Sequence, residues 1–172
     1  VHLVGGIPKA VPFRADGGEW LLDRDALVAA VGERTTSMLL MSPSMPSGCV
    51  LGHDDWAAIA AACHEHDLFL IYDAAMEAIL FDGRTPVGPL DHEGMAERTV
   101  IVGSMSKAYR MIGWRIGWIV APPALVLIFV GTLTTMRMYR SPPGAFSLGL
   151  ISSESPLVAS SSTARMDSLV NR

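Results

Sequence analysis

The stretch "SMSKAYRMIGWRIGW", residues 104–118, sets a lysine at the end of an apolar run, "TVIVGSMS", residues 99–106, that reads as a strand. Lysine occurs elsewhere only at Lys9, and arginine fills every other basic position. An ammonium can lose its proton and act as a nucleophile, whereas a guanidinium cannot. Lys107 therefore invites a chemical reading, and that reading depends on what kind of sheet the strand belongs to.

Working outward, "TSMLLMSP" (residues 36–43) and "LFLIYD" (residues 68–73) are further short apolar runs. They read as strands, the first buried on both faces and ended by Pro43. Between and before them lie helical patterns. "EWLLDRDALVAAVGERT" has apolar residues at helical spacing from Leu22 to Val31, with Asp23 placed to cap and Gly32 to stop. "MPSGCVLGHDDWAAIAAACHEHD" gathers Trp56, Ile59, Ala60 and Cys63 on one face, with Asp54 near its start. Strands separated by helices predict an α/β fold, a mostly parallel sheet with helices on both sides. The run "RIGWIVAP", residues 115–122, follows too closely for a crossover helix and is expected to pair antiparallel.

Composition narrows the function classes. At 172 residues, half hydrophobic and 17% charged, the chain supports one core, and a formal charge of -4 with no basic stripe argues against nucleic-acid binding. Cys49 and Cys63 lack metal or redox spacing and read as buried thiols of a reducing, cytoplasmic compartment. No metal site is assigned. "VHLVGGIPKA" has no leader pattern, and its opening Val reads as the start of a piece of a longer frame. "ALVLIFVGTL", residues 124–133, is shorter than the roughly 20 apolar residues that span a bilayer, so a buried helix and no membrane partner are expected. Residues 1–140 read as the folded part and residues 141–172, rich in Ser with Pro-Pro, as a poorly ordered tail.

Open α/β sheets bind ligands outside the carboxyl ends of their parallel strands. That rim receives "SPSMPSG" from the first strand, Asp73 from the second, and Ser104, Ser106 and Lys107 from the third. Arg115, at the start of the antiparallel strand, joins them. Hydroxyls and a guanidinium suit a phosphate, a lysine suits Schiff-base chemistry, and a carboxylate suits a protonated ring nitrogen. The set fits pyridoxal phosphate.

The three segments together resemble class I/II aminotransferases, the fold-type I pyridoxal phosphate enzymes. "SMSKAYRMIGWRIGW" resembles that family's S-x-S-K segment followed by G-x-R-x-G, "IYDAAMEAILFDG" its strand-end aspartate segment, and "LLMSPSMPSGCVL" its N-P-x-N-P-T-G segment. They occur in family order over residues 1 to about 123. The resemblance implies a three-layer α/β/α architecture, here the second half of the large cofactor-binding domain. It makes Lys107 the Schiff-base lysine and acid/base, Asp73 the partner of the pyridine nitrogen, Ser104 and Arg115 phosphate ligands with Ser106 beside them, and Pro46 and Gly48 the turn beneath the ring. It also implies amino acid and 2-oxo acid substrates and a homodimer in the full-length enzyme.

Two positions depart from the family. Where it places Asn and Tyr as donors to the cofactor's phenolic oxygen, this chain has Met45 and Met76, thioethers that cannot donate. Either the wall is repacked with polarizable thioethers, or Tyr72 or Tyr109 compensates where its geometry allows. The family's earlier glycine-rich phosphate loop and its later small domain with a carboxylate-binding arginine have no counterpart in the sequence. Two hypotheses stand side by side: an aminotransferase segment, and a catalytically incomplete fragment or pseudoenzyme serving as a binding module. A lyase or decarboxylase on the same scaffold is a lesser alternative.

Overall fold

The computed structural model describes residues 1, 2 and 5–126, and residues 1–123 form one compact unit. Expectations for the apolar run beyond Val126 and for residues 141–172 lie outside the described residues. The chain opens with a hairpin, β1 (Phe13–Asp16) and β2 (Glu19–Leu22), closed by Gly17 and Gly18 at φ 55° and 89°. Successive positive φ values are what a two-residue hairpin turn demands, and glycine adopts them without steric cost. Leu22 thus ends a strand and does not begin the helix, as its spacing had suggested. Helix α1 (Arg24–Ala30) starts where Asp23 accepts the Ala26 N–H at 2.9 Å. Lys9 Nζ donates to Ala29 O at 3.4 Å, near the negative end of that helix.

The central sheet runs β3 (Ser37–Met41), β4 (Phe69–Asp73), β5 (Thr99–Ser104) and β6 (Gly117–Val120), in that spatial order. The first three strands are parallel and β6 is antiparallel to β5, as the short "SMSKAYRMIGW" connection requires. Helix α2 (His53–Glu65) makes the crossover from β3 to β4. The crossover from β4 to β5 carries only a 3₁₀ turn at Pro89–Asp91, so not every strand pair is separated by an α-helix.

Helix α2 buries the predicted face, Trp56, Ile59, Ala60 and Cys63, against Met38, Leu70 and Tyr72 of the sheet. Strand alternation sends Leu39, Phe69, Ile71, Val102 and Ile119 to the other face. There Leu39 is 69% exposed and Phe69 45%, and among the strand residues only Val100 is buried. The reading of "TSMLLMSP" as a strand buried on both faces is therefore corrected. An apolar run records hydrophobicity, while burial needs a second layer, and among the described residues α2 covers one face.

The lower end of α2 is tied to the sheet by Arg98. Its Nη1 donates to Cys63 O at 3.1 Å, Leu68 O at 3.2 Å and Asp67 Oδ1 at 3.1 Å. Asp67, at φ 49°, takes the left-handed position that follows a helix, and Leu68 N–H returns to Cys63 O at 2.9 Å. Arg98→Ala leaves two partly buried carbonyls short of a charged donor. A loss of about 2–3 kcal/mol of stability is expected in urea titration, and Arg98→Lys should recover only part of it, because an ammonium lacks the planar fork.

Candidate active site

Strand register carries the candidate residues to one end of one sheet. Met41, Asp73 and Val102 lie side by side across β3, β4 and β5, so Asp73 ends its strand at the common carboxyl rim. β5 continues past that line to Ser104, paired with Gly117 of β6. Met105 N–H donates to Ile116 O at 3.2 Å, which extends the β5–β6 ladder one step beyond Ser104 and Gly117. Helix α3 (Met105–Ala108), with Ser106 and Lys107, and the turn bearing Arg115 therefore both leave from this rim.

Two glycines permit the close pairing. A Cβ on Gly117 would come within 2.7 Å of Gly103 O, and a Cβ on Gly103 would overlap the Trp118 indole. Glycine inside a strand often marks such a close approach, a signal in "TVIVGSMS" and "RIGWIVAP" that the sequence reading passed over.

Local geometry differs at each residue. The half-buried Asp73 accepts the Ala75 N–H through Oδ1 at 3.0 Å, which fixes the carboxylate in its turn. Ser104 Oγ caps α3 by accepting the Ser106 N–H at 3.1 Å, so its hydroxyl proton remains to be donated. Lys107 is exposed: α3 stands at the rim, and the described residues place nothing over it. Arg115 is exposed at φ 52° and donates to Ile112 O at 3.0 Å. Arg110 shares the left-handed region, at φ 56°. Such conformations cost about 1–2 kcal/mol in a non-glycine residue and gather at functional sites.

The charged groups at this rim do not pair with one another. Arg14, Arg24, Arg84 and Arg98 each pair with a carboxylate. Among the described residues no ion pair holds Asp73, Lys107 or Arg115. A carboxylate, an amine, a guanidinium and a hydroxyl donor are thus gathered without neutralising one another. The donor types are those a phosphorylated pyridine carbonyl compound needs: hydroxyls and a guanidinium for a phosphate, a carboxylate for a ring N–H and an amine for an electrophilic carbon. A cleft of about 370 Å³ elsewhere, lined by Arg14, Leu22, Arg24, Gly52 and Asp54, contains none of the rim residues. No group of three or more His, Cys, Asp or Glu among the described residues is placed to hold a metal ion.

The two positions where the resemblance puts donors carry thioethers instead. Met45 is 61% exposed and Met76 half-buried. Tyr72 does not compensate, because it points to the α2 face: its ring stands edge-on to Trp56, centroids 5.1 Å apart, and its hydroxyl donates to Ser42 O at 3.0 Å. Burial, then the nearby Glu77 and Asp73 carboxylates, push the phenol up from its ordinary value, so it stays protonated as a donor. Tyr109, next to α3, is exposed. Burial raises both thiols, Cys49 with help from Asp55, and both are free and buried, which makes them poor nucleophiles.

An α/β sheet with a lysine, an aspartate and an arginine at its carboxyl rim defines a class, and comparison with known proteins specifies it. Aminotransferase class I and II, as a family, matches residues 2–171, and the chain belongs to it. It is 37% identical over 147 residues to arginine–pyruvate transaminase AruH of Pseudomonas aeruginosa, covering 86% of this chain and 37% of that protein. It is 36% identical over 126 residues to the probable N-succinyldiaminopimelate aminotransferase DapC of Mycobacterium tuberculosis, covering 73% of this chain and 32% of that one. The solved N-succinyldiaminopimelate aminotransferase of that organism superposes with a TM-score of 0.71 at 36% identity, over 73% of this chain and 33% of its own. The chain thus spans well under half the length of these relatives. Their family in general depends on pyridoxal phosphate. Among the described residues no helix is long and apolar enough to cross a membrane.

Proposed function

We propose that this chain contributes the cofactor-lysine half of a pyridoxal phosphate-dependent aminotransferase, which moves an amino group between an amino acid and a 2-oxo acid. The observation that carries the reading is the unneutralised set Asp73, Ser104, Lys107 and Arg115 at one sheet rim. When bound, pyridoxal phosphate supplies an electrophilic carbon and an electron-withdrawing ring. Lys107 would hold the cofactor through its amine and would carry the proton to and from the substrate Cα. Asp73, pinned by Ala75 N–H, keeps a proton on the ring nitrogen by placing negative charge beside it. Ser104, Ser106 and Arg115 hold the phosphate, and Met45 and Met76 line the remaining wall with polarizable sulfur. The cytoplasm is the compartment that suits two free buried thiols, and a homodimer is the state we assign to the full-length enzyme.

Borohydride trapping with pyridoxal phosphate, followed by peptide mapping, tests the assignment. The adduct is expected on Lys107 and absent from Lys107→Ala, while Lys9, engaged with Ala29 O, stays unlabelled. Adduct on Lys9 alone would overturn it. The exposure of Lys107 and Arg115 favours a second reading for residues 1–172 by themselves, namely cofactor attachment without turnover. Transamination needs positioning and charge stabilisation together in a water-excluding site. Steady conversion of a 2-oxo acid by the 172-residue chain, lost on Lys107→Ala, would contradict that reading.

A further inference from the structure

Ser42 is the buried residue on which the Pro43–Val50 loop closes. Its hydroxyl oxygen accepts Leu51 N–H at 3.0 Å, and its carbonyl oxygen accepts the Tyr72 hydroxyl at 3.0 Å. Inside the loop, Ser44 N–H donates to Cys49 O at 2.8 Å, Gly48 N–H to Ser44 O at 2.7 Å, and Cys49 N–H to Ser47 Oγ at 3.2 Å. Gly48, at φ 73°, makes the turn. The loop therefore has its own ladder, and at its base Ser42 is tied to β4 by the residue that immediately precedes Asp73. Tyr72 is 2% exposed, its ring is held by Trp56, and its side chain lies on the α2 face of the sheet, opposite that of Asp73.

We infer that Tyr72 is a positioning residue, whose hydroxyl on Ser42 O sets the loop carrying Met45, Pro46 and Gly48 in register with Asp73 at the candidate cofactor site. The inference rests on the pyridoxal phosphate reading for what the loop faces, and on the hydrogen bonds alone for the latch. One strand end thus sends Asp73 to the rim on one face and anchors the neighbouring loop from the other. A chain without donors at positions 45 and 76 depends on the shape of this wall, because no hydrogen bond from those side chains corrects a misplaced ring.

Tyr72→Phe keeps the ring against Trp56 and deletes the hydroxyl, so fold and latch separate. Amide hydrogen exchange is expected to accelerate about tenfold at Gly48, Cys49 and Leu51, the scale of one lost buried hydrogen bond, while the α2 amides from Trp56 to Cys63 are unchanged. Affinity for pyridoxal 5'-phosphate, read from its absorbance, is expected to fall by a similar factor. Unchanged loop exchange, or acceleration spread evenly over α2 and β4, would overturn the latch. Faster loop exchange with unaltered cofactor affinity would overturn the positioning role. If the unsubstituted chain binds no pyridoxal 5'-phosphate, the reading of the site falls, and loop exchange alone still decides the latch.

Discussion

Asp73→Asn, introduced into an enzyme that carries residues 1–172 at the full length of its relatives, is expected to slow removal of the substrate Cα proton about 10²–10³-fold, the scale of losing one preorganised charge. The substitution is chosen because an amide oxygen still accepts the Ala75 N–H that Asp73 Oδ1 accepts at 3.0 Å. The turn after β4 is then preserved and the negative charge alone is removed. Without that charge the ring nitrogen holds its proton less firmly and withdraws electrons less strongly. A primary isotope effect from α-deuterated substrate should grow as proton removal becomes more rate-limiting. Melting temperature should hardly move. Wild-type turnover in Asp73→Asn would remove Asp73 from the site.

The second large effect is on stability. Trp56 is completely buried, and it packs against both α2's own face and the Tyr72 ring. Trp56→Ala is expected to cost about 3–5 kcal/mol, the range for truncating a large aromatic core residue. Among the described residues one helix layer covers the sheet, which leaves few other contacts to redistribute that loss. Trp56→Phe should cost much less. The indole Nε1 is buried without a hydrogen-bond partner among the described residues, so phenylalanine gives up no hydrogen bond and retains an edge-to-face contact with Tyr72. Denaturant titration of the two variants isolates the effect of ring volume, because both lack the indole N–H. Equal losses would contradict a packing role for the ring at position 56.

Much of the site was legible as sequence because its signals are local. Lys107 in S-x-S-K, Asp73 at the end of "LFLIYD" and Arg115 in G-x-R-x-G need only a strand direction to be assigned to one rim, and the observed register brings them there. The role of Tyr72 was not legible, for the opposite reason. It sits one residue from Asp73, and alternation along β4 sends neighbouring side chains to opposite faces. Its partner, Ser42, lies on another strand, so no local spacing announces the bond. The hairpin over Phe13–Leu22 had a local signal, Asp-Gly-Gly, but the helical spacing that begins at Leu22 masked it.

By itself the sequence determined the α/β class, the antiparallel β6, the buried face of α2 and the identity of the candidate lysine, because periodicity, punctuation and short motifs are properties of consecutive residues. Only the tertiary structure decided that α2 covers a single face among the described residues, that Lys107 and Arg115 are exposed, that Lys9 is occupied by Ala29 O, and that Tyr72 holds Ser42. Exposure and hydrogen-bond partnership depend on what packs alongside. The groups that decide them lie 20 residues away for Lys9 and Ala29 and 30 for Tyr72 and Ser42, beyond the reach of any local pattern.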